Sequence, residues 1–172
     1  GDASIREAVN IAMQILSKEF VCAQDIEELK DSSWLQSHRC SFDMLGEASR
    51  NQLQSDAYFE SYLGAINSIG AINSAHALSN GISIKLSALY SKYDALHERE
   101  VKNFLLPKLR DLVIEASAKD VPVTIDAEEQ DRLSLSLSLI EDLALDPVIK
   151  NWPKLGLAVQ AYGKRSLQVI EY

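Results

Sequence analysis

The chain has 172 residues, 47% of them hydrophobic, and a formal net charge of −8 from 17 basic and 25 acidic residues. This length and composition predict one globular domain with a substantial core. The acidic balance argues against a nucleic-acid surface, which needs a basic stripe, and no apolar run reaches the roughly 18 residues of a membrane span.

The N-terminus and the two cysteines add little to what the composition predicts. The first ten residues lack the basic region and apolar core of a signal peptide, and Gly1 in place of Met indicates a piece excised from a longer chain. Cys22 and Cys40 form neither a CxxC motif nor a metal-ligand spacing. They are predicted to be reduced thiols of a cytosolic protein, and no metal site is predicted.

The first third of the chain predicts two helices and a strand. Within residues 4–20, four apolar side chains recur at helical spacing: Ile5, Val9, Ala12 and Leu16. Ser4 is the predicted N-cap of this helix, with Glu7 three residues on. A short helix is predicted over 24–30, and a short strand follows in SFDMLGE, ended by Gly46.

Helices and strands then alternate. An apolar stripe predicts a helix over 54–72, and the turn pair Asn80–Gly81 precedes an alternating strand in NGISIKLSAL. Residues 94–118 predict a helix that is kinked or broken at Pro107. A third strand is predicted over 121–126.

The segment LSLSLSL, 133–139, gives conflicting signals. Its period of two favours a strand, but it lies between EEQDR and IEDLA, which favour helix, and a crossover is needed here. We predict a helix. A fourth strand over 155–162 and a further helix in KRSLQVIEY complete the chain.

This order, a helix followed by four strand–helix units, predicts an α/β fold with a parallel sheet. No glycine-rich phosphate loop follows the first strand, so a (β/α) barrel is favoured over a dinucleotide-binding fold. A complete barrel has eight units in about 250 residues. The sequence therefore predicts N-terminal helices over 1–38 and the first half of a (β/α)8 TIM-type barrel over 39–172.

Strand alternation selects the side chains that point into such a barrel, while their apolar neighbours face the helices. The inward polar and small side chains are Asp43; Ser83, Lys85 and Ser87; Thr124 and Asp126; and Ala158 and Gln160. Each has a structural alternative: Lys85 as an ion-pair partner of Asp126, Asp43 in a turn, Gln160 as a satisfied core amide. Together, near the carboxyl ends of successive strands, they favour a ligand site.

The stretch VPVTIDAEEQDRL places three acids directly after a buried strand. Asp126 is predicted to end the strand inside the site. Glu128 and Glu129 are predicted to be solvated residues that open the following helix, where negative charge meets the positive end of the helix dipole.

Four motifs occur in an order and spacing that resemble one enzyme family: FDMLGEA (42–48), GISIKLSAL (81–89), TIDAEEQDRL (124–133) and QAYGKR (160–165). The chain resembles the flavin-dependent proline dehydrogenases, and is most similar to the proline dehydrogenase domain of bifunctional proline utilization A (PutA) proteins. The resemblance extends over essentially the whole chain. It implies a distorted (β/α)8 barrel with non-covalent FAD that oxidises L-proline to Δ1-pyrroline-5-carboxylate in proline catabolism.

The resemblance also implies residue roles, carried over motif by motif. Lys85 resembles the lysine that holds the substrate carboxylate, Asp126 the aspartate beside flavin and substrate, and Glu47 the partner of a gating arginine. Gln160 resembles the glutamine that hydrogen-bonds the flavin ring. Val159, directly before this motif, and Tyr162, within it, are expected to bind the cofactor as well. The family passes hydride from proline C5 to flavin N5, and a quinone then takes the electrons.

Further expectations concern the parent protein. The resemblance implies a cytoplasmic enzyme with peripheral association to the inner membrane. The arginines that contact flavin and substrate in the family fall outside the four motifs. The isolated chain is therefore expected to be inactive without the missing barrel half or a second copy.

Two alternatives stay open on the residues alone. An inward lysine such as Lys85 also suits a barrel aldolase that forms a Schiff base. A non-catalytic scaffold fragment is the second.

Overall fold

The computed structural model describes residues 2–23, 25–33, 35, 37–77 and 79–172, without the side chains of residues 2, 3, 14 and 17–20. In chain order the elements are α1 (Asp2–Phe20), a 3-10 turn (Glu27–Leu29), β1 (Ser41–Asp43), α2 (Gln52–His76), β2 (Gly81–Ile84), α3 (Leu86–Leu89), a 3-10 turn (Ala95–His97), α4 (Glu98–Ala118), β3 (Val123–Ile125), α5 (Leu133–Ala144), β4 (Leu155–Leu157) and α6 (Ser166–Glu171). Within these described ranges, no helix has the length and apolar character needed to cross a membrane.

The four strands form one parallel sheet in the order β1-β2-β3-β4, which confirms the predicted α/β class and parallel pairing. The register aligns Asp43 with Ser83, Ser83 with Thr124, and Thr124 with Gly156. These small and polar residues therefore share one face of the sheet, because side chains alternate between faces along each strand.

The opposite face of the sheet carries the core. Phe42, Ile82 and Val123 lie side by side in the register and are buried, as are Ile84 and Ile125 in the next row. Helices α2, α4 and α5 cover this face with apolar stripes of their own, since each helix presents residues three and four apart on one side.

Helix α5 confirms the helical interpretation of LSLSLSL. Leu135, Leu139 and Leu143 are buried at a spacing of four, which matches the helical period and not the period of two. The residues between Leu135 and Leu139 are half-buried. The alternation of leucine and serine thus coexists with a helical stripe that the flanking sequence extends to Leu143.

All four strands are shorter than predicted, and the ends of β2 and β4 differ most in consequence for the site. Strand β2 ends at Ile84, because the Lys85 backbone N–H donates to the Tyr62 hydroxyl at 3.1 Å and α3 begins at the next residue. The assignment of Leu86 and Ser87 to strand two was therefore wrong. Strand β4 ends at Leu157, and Gln160 lies in a turn where its carbonyl accepts the Gly163 N–H at 2.8 Å.

The helix boundaries also differ from the predictions. Helix α1 begins at Asp2, so Ser4 lies inside the first turn and is not the N-cap. The segment 24–30 forms only a 3-10 turn at Glu27–Leu29, and residue 24 lies outside the described residues. Helix α4 runs through Pro107 without a break, because that residue is exposed and its missing N–H falls on the solvent side.

Candidate functional site

The candidate site lies where the carboxyl ends of the parallel strands meet. Asp43 ends β1, Lys85 follows β2, Asp126 follows β3, and Gln160 lies in the loop after β4. The structure brings the first three together. Gln160 and Glu47 line an open cavity of about 270 Å³ together with Lys85.

Lys85 is the centre of this arrangement. Its ammonium forms a hydrogen-bonded ion pair with Asp43 and a second ion pair with Asp126 at 3.4 Å. The lysine side chain is 14% exposed, against 60% for Asp43 and 29% for Asp126. Asp126 is held from the other side, because its Oδ1 accepts the Ala127 N–H at 2.9 Å.

The balance of burial and charge keeps Lys85 protonated. Burial alone opposes its charge, but the hydrogen bond from Nζ to Asp43 and the charges of Asp43 and Asp126 outweigh it. The pKa of Lys85 is therefore raised above that of an ordinary lysine. A fixed ammonium at the edge of an open cavity can bind an anionic group such as a carboxylate.

Ser87 ties the loop that carries Glu47 to the lysine segment. The Ala48 N–H donates to Ser87 Oγ at 3.0 Å, and the Ser49 N–H donates to the Ser87 carbonyl at 2.9 Å. Gly46 and Ala48 have positive φ angles of 129° and 47°, so the loop folds back sharply here. Glu47 itself is exposed, where its carboxylate can meet a partner from outside the site.

Glu128 does not occupy its predicted place. Helix α5 begins only at Leu133, so neither glutamate opens it. The Glu128 side chain is 13% exposed and its Oε1 accepts the Ser87 N–H at 3.0 Å, whereas Glu129 is 64% exposed. The solvated assignment was therefore wrong for Glu128, because the loop turns its side chain back toward α3.

Gln160 has its side-chain amide fixed by two contacts. Its Nε2 donates to the Glu128 carbonyl at 3.0 Å, and its Oε1 accepts from the Gln130 amide. Val159 lines a small neighbouring cavity of about 30 Å³ with Gln160. Tyr162 is 87% exposed in the same loop.

Two further contacts were missed by sequence reasoning. The Arg132 guanidinium lies 5.5 Å from the centre of the Tyr93 ring and pairs with Glu129 at 3.2 Å. Burial, with the nearby charge of Glu128, raises the pKa of Tyr93 well above its usual range. The only sequence signal was an aromatic residue a few positions after the lysine motif, which does not specify a contact with α5.

The chain matches a known protein family over most of its length. The family model described as "Proline dehydrogenase" matches residues 22–172. The chain is 39% identical to the "Bifunctional protein PutA" of Escherichia coli (strain K12) over 177 aligned residues, covering 100% of this chain and 13% of that protein. The PutA of Rhizobium meliloti is 38% identical, with 100% and 14% covered. The chain thus spans about one seventh of the length of these relatives.

Solved structures agree with this similarity. A mutant of Bradyrhizobium japonicum PutA superposes with a TM-score of 0.74 at 47% identity, over 78% of this chain and 14% of that chain. The PutA of Bdellovibrio bacteriovorus, solved after inactivation by N-propargylglycine, gives a TM-score of 0.86 at 21% identity over 97% of this chain and 19% of that chain. The second similarity bears on the fold alone.

Proposed function

Because the chain belongs to the proline dehydrogenase family, we propose that it contributes to the oxidation of L-proline to Δ1-pyrroline-5-carboxylate. The observation that carries this proposal is the position of Lys85. Its ammonium is held at the carboxyl edge of the sheet by two carboxylates and borders an open cavity. Proline carries a carboxylate that suits such a partner.

Lys85 and its acids act by binding and orientation. A lysine ammonium has three N–H donors, and Asp43 and Asp126 occupy two of them. The third can hold the substrate carboxylate, which fixes the ring of proline relative to Asp126. Glu47, exposed above the same cavity, is proposed as the partner of an arginine that closes over the substrate.

We propose that the residues after β4 contact the flavin. Val159 and Gln160 lie side by side in the lining of one small cavity, and one N–H of the Gln160 amide is used by the Glu128 carbonyl. The amide's second N–H can donate to a ring heteroatom, while Asp126 and the exposed Tyr162 are proposed to flank the cofactor. Bound FAD supplies the hydride acceptor at N5, and a quinone is the proposed final acceptor.

The fold suggests how the site is completed. Among the described strands, β1 pairs only with β2 and β4 only with β3, so both outer strands have an unpaired edge. We propose that residues 39–172 form part of a (β/α)8 barrel wall, preceded by helices within 1–38. Further strands, or a second copy, satisfy these edges and supply the arginines.

The positive charge of Lys85 argues against the alternative function, a Schiff-base aldolase. Schiff-base formation needs a neutral amine, but the pKa of Lys85 is raised by its two carboxylate partners. A scaffold without chemistry accounts for the ion pairs of Lys85 but gives no reason for its position at the edge of an open cavity.

The test is carried out on the full-length protein that contains this chain. Purified protein should show flavin absorbance that bleaches on anaerobic addition of L-proline and returns with a soluble quinone analogue. Fractionation of cells then tests the proposed cytoplasmic location with peripheral attachment to the inner membrane. A colourless protein, or a flavin that L-proline fails to reduce, would contradict the proposed function.

A further inference from the structure

Glu128 connects three of the loops that build the site. This residue lies in the loop after β3, between Asp126 and the start of α5. Its side chain is 13% exposed, which is unusual for a carboxylate unless it is paired. The structure shows two distinct uses of this residue, one by the side chain and one by the backbone.

The side chain holds the lysine segment. Glu128 Oε1 accepts the Ser87 N–H at 3.0 Å. Ser87 is the second residue of α3, and the first N–H groups of a helix have no partner within the helix. Lys85, directly before α3, has no side-chain cap contact of its own. Glu128 therefore fixes the turn that follows Lys85.

The contact extends to the first loop through Ser87. The same serine accepts the Ala48 N–H at its hydroxyl and the Ser49 N–H at its carbonyl. Ser87 is 3% exposed, so water does not replace these bonds. Moving Ser87 would move the loop that carries Glu47.

The backbone of Glu128 holds the amide of Gln160. The Glu128 carbonyl accepts from Gln160 Nε2 at 3.0 Å, which sets the face that this amide turns toward the cavity. Because the Glu128 side chain is anchored on Ser87, its carbonyl is anchored as well. Glu128 therefore links the lysine segment directly to the Gln160 amide.

We propose that Glu128 is a positioning residue that keeps Lys85, the Glu47 loop and the Gln160 amide in one fixed arrangement. The inference rests on the proposed function, in which Lys85 binds the substrate and Gln160 the flavin. Glu128 lines both cavities, but the role proposed for it is to hold the loops in place and not to react. Its role depends on an acceptor oxygen at Oε1 and not on its charge.

The experiment compares three variants in the full-length protein. Glu128→Ala removes the acceptor, Glu128→Gln keeps an oxygen that can accept the Ser87 N–H, and Glu129→Gln is the matched control on the exposed neighbour that shares Arg132. Three quantities are measured: the KM for L-proline, the reduction potential of the bound flavin, and amide hydrogen exchange in peptides that cover 46–50 and 86–90.

Glu128→Ala should raise the KM for L-proline roughly tenfold, since one hydrogen bond to a charged acceptor is lost. It should shift the flavin potential and speed amide exchange in both peptides. Glu128→Gln should restore all three quantities, and Glu129→Gln should leave them at the wild-type values.

Other outcomes overturn the inference. Faster exchange in Glu128→Ala with an unchanged KM and potential would reduce Glu128 to a structural role. Failure of Glu128→Gln to restore function would show that charge, and not the hydrogen bond, matters. A wild-type protein that does not oxidise proline refutes the proposed function itself. In that case the positioning role of Glu128 in catalysis is refuted as well, even if amide exchange is faster in Glu128→Ala.

Discussion

Replacing Lys85 by methionine in the full-length protein tests the substrate site most directly. Methionine keeps much of the length and apolar body of lysine but removes the ammonium. Two of the three N–H donors face Asp43 and Asp126, which leaves one for the substrate. One charge-assisted hydrogen bond is worth about 1.5–3 kcal/mol, so the KM for L-proline should rise about ten- to a hundredfold.

Two features of the site argue against a smaller rise in the KM for L-proline. Without Lys85, the carboxylates of Asp43 and Asp126 face the incoming substrate carboxylate with no counter-charge. Lys85 is also mostly buried, so water cannot fully take its place. Flavin content should change little, because the residues proposed for the cofactor lie after β3 and β4.

Steady-state kinetics beside a flavin titration is the assay. The control is Lys154→Met, which removes a lysine paired with Asp120 at 2.7 Å before the amino ends of β3 and β4. That variant should retain the wild-type KM. A Lys85→Met protein with an unchanged KM would remove Lys85 from the substrate site, and equal losses in both variants would point to general destabilisation.

Three other outcomes are expected. Gln160→Ala should shift the flavin's reduction potential or lower its occupancy with little change in unfolding temperature; spectroelectrochemistry that gives wild-type values would leave Gln160 as a structural amide. Because the pKa of Lys85 is raised, its ion pairs stabilise the fold fully below about pH 10, and this contribution is lost as pH rises further. The difference in unfolding free energy between wild type and Lys85→Met should therefore shrink in urea titrations at alkaline pH, and a constant difference would argue against a stabilising role of these ion pairs. The 172-residue chain alone should associate through its open strand edges and lack proline oxidation; light scattering that shows an active yellow monomer would contradict this.

The sheet could be predicted because its signals are local. Each strand is a short apolar run bounded by turn residues, and helical stripes separate the strands, which requires parallel pairing. The meeting of Lys85 with Asp126 followed from the same signals, since adjacent parallel strands bring their carboxyl ends to one edge. The structure confirms that contact at 3.4 Å.

The end of β2 could not be predicted, because a distant residue determines it. The alternation in ISIKLSAL continues to Ala88, so the local pattern alone extends the strand. In the fold, the Tyr62 hydroxyl on α2 takes the Lys85 N–H and the chain turns into α3. This places Ser87 among the loops and not on the sheet, where it accepts the Ala48 N–H.

Glu128 and Glu129 show the limit of what composition and spacing can predict about this site. The two are chemically identical neighbours, and both were predicted to be solvated at a helix start. They differ in the fold because a loop of seven residues, 126–132, separates β3 from α5 and buries most of the Glu128 side chain while it leaves that of Glu129 exposed. Glu128 accepts a hydrogen bond from the Ser87 N–H, while the exposed Glu129 forms an ion pair with Arg132. The lysine could be identified from its strand, but the residue that holds the lysine segment depends on where an unpaired backbone N–H of α3 comes to lie, and only the assembled loops determine that.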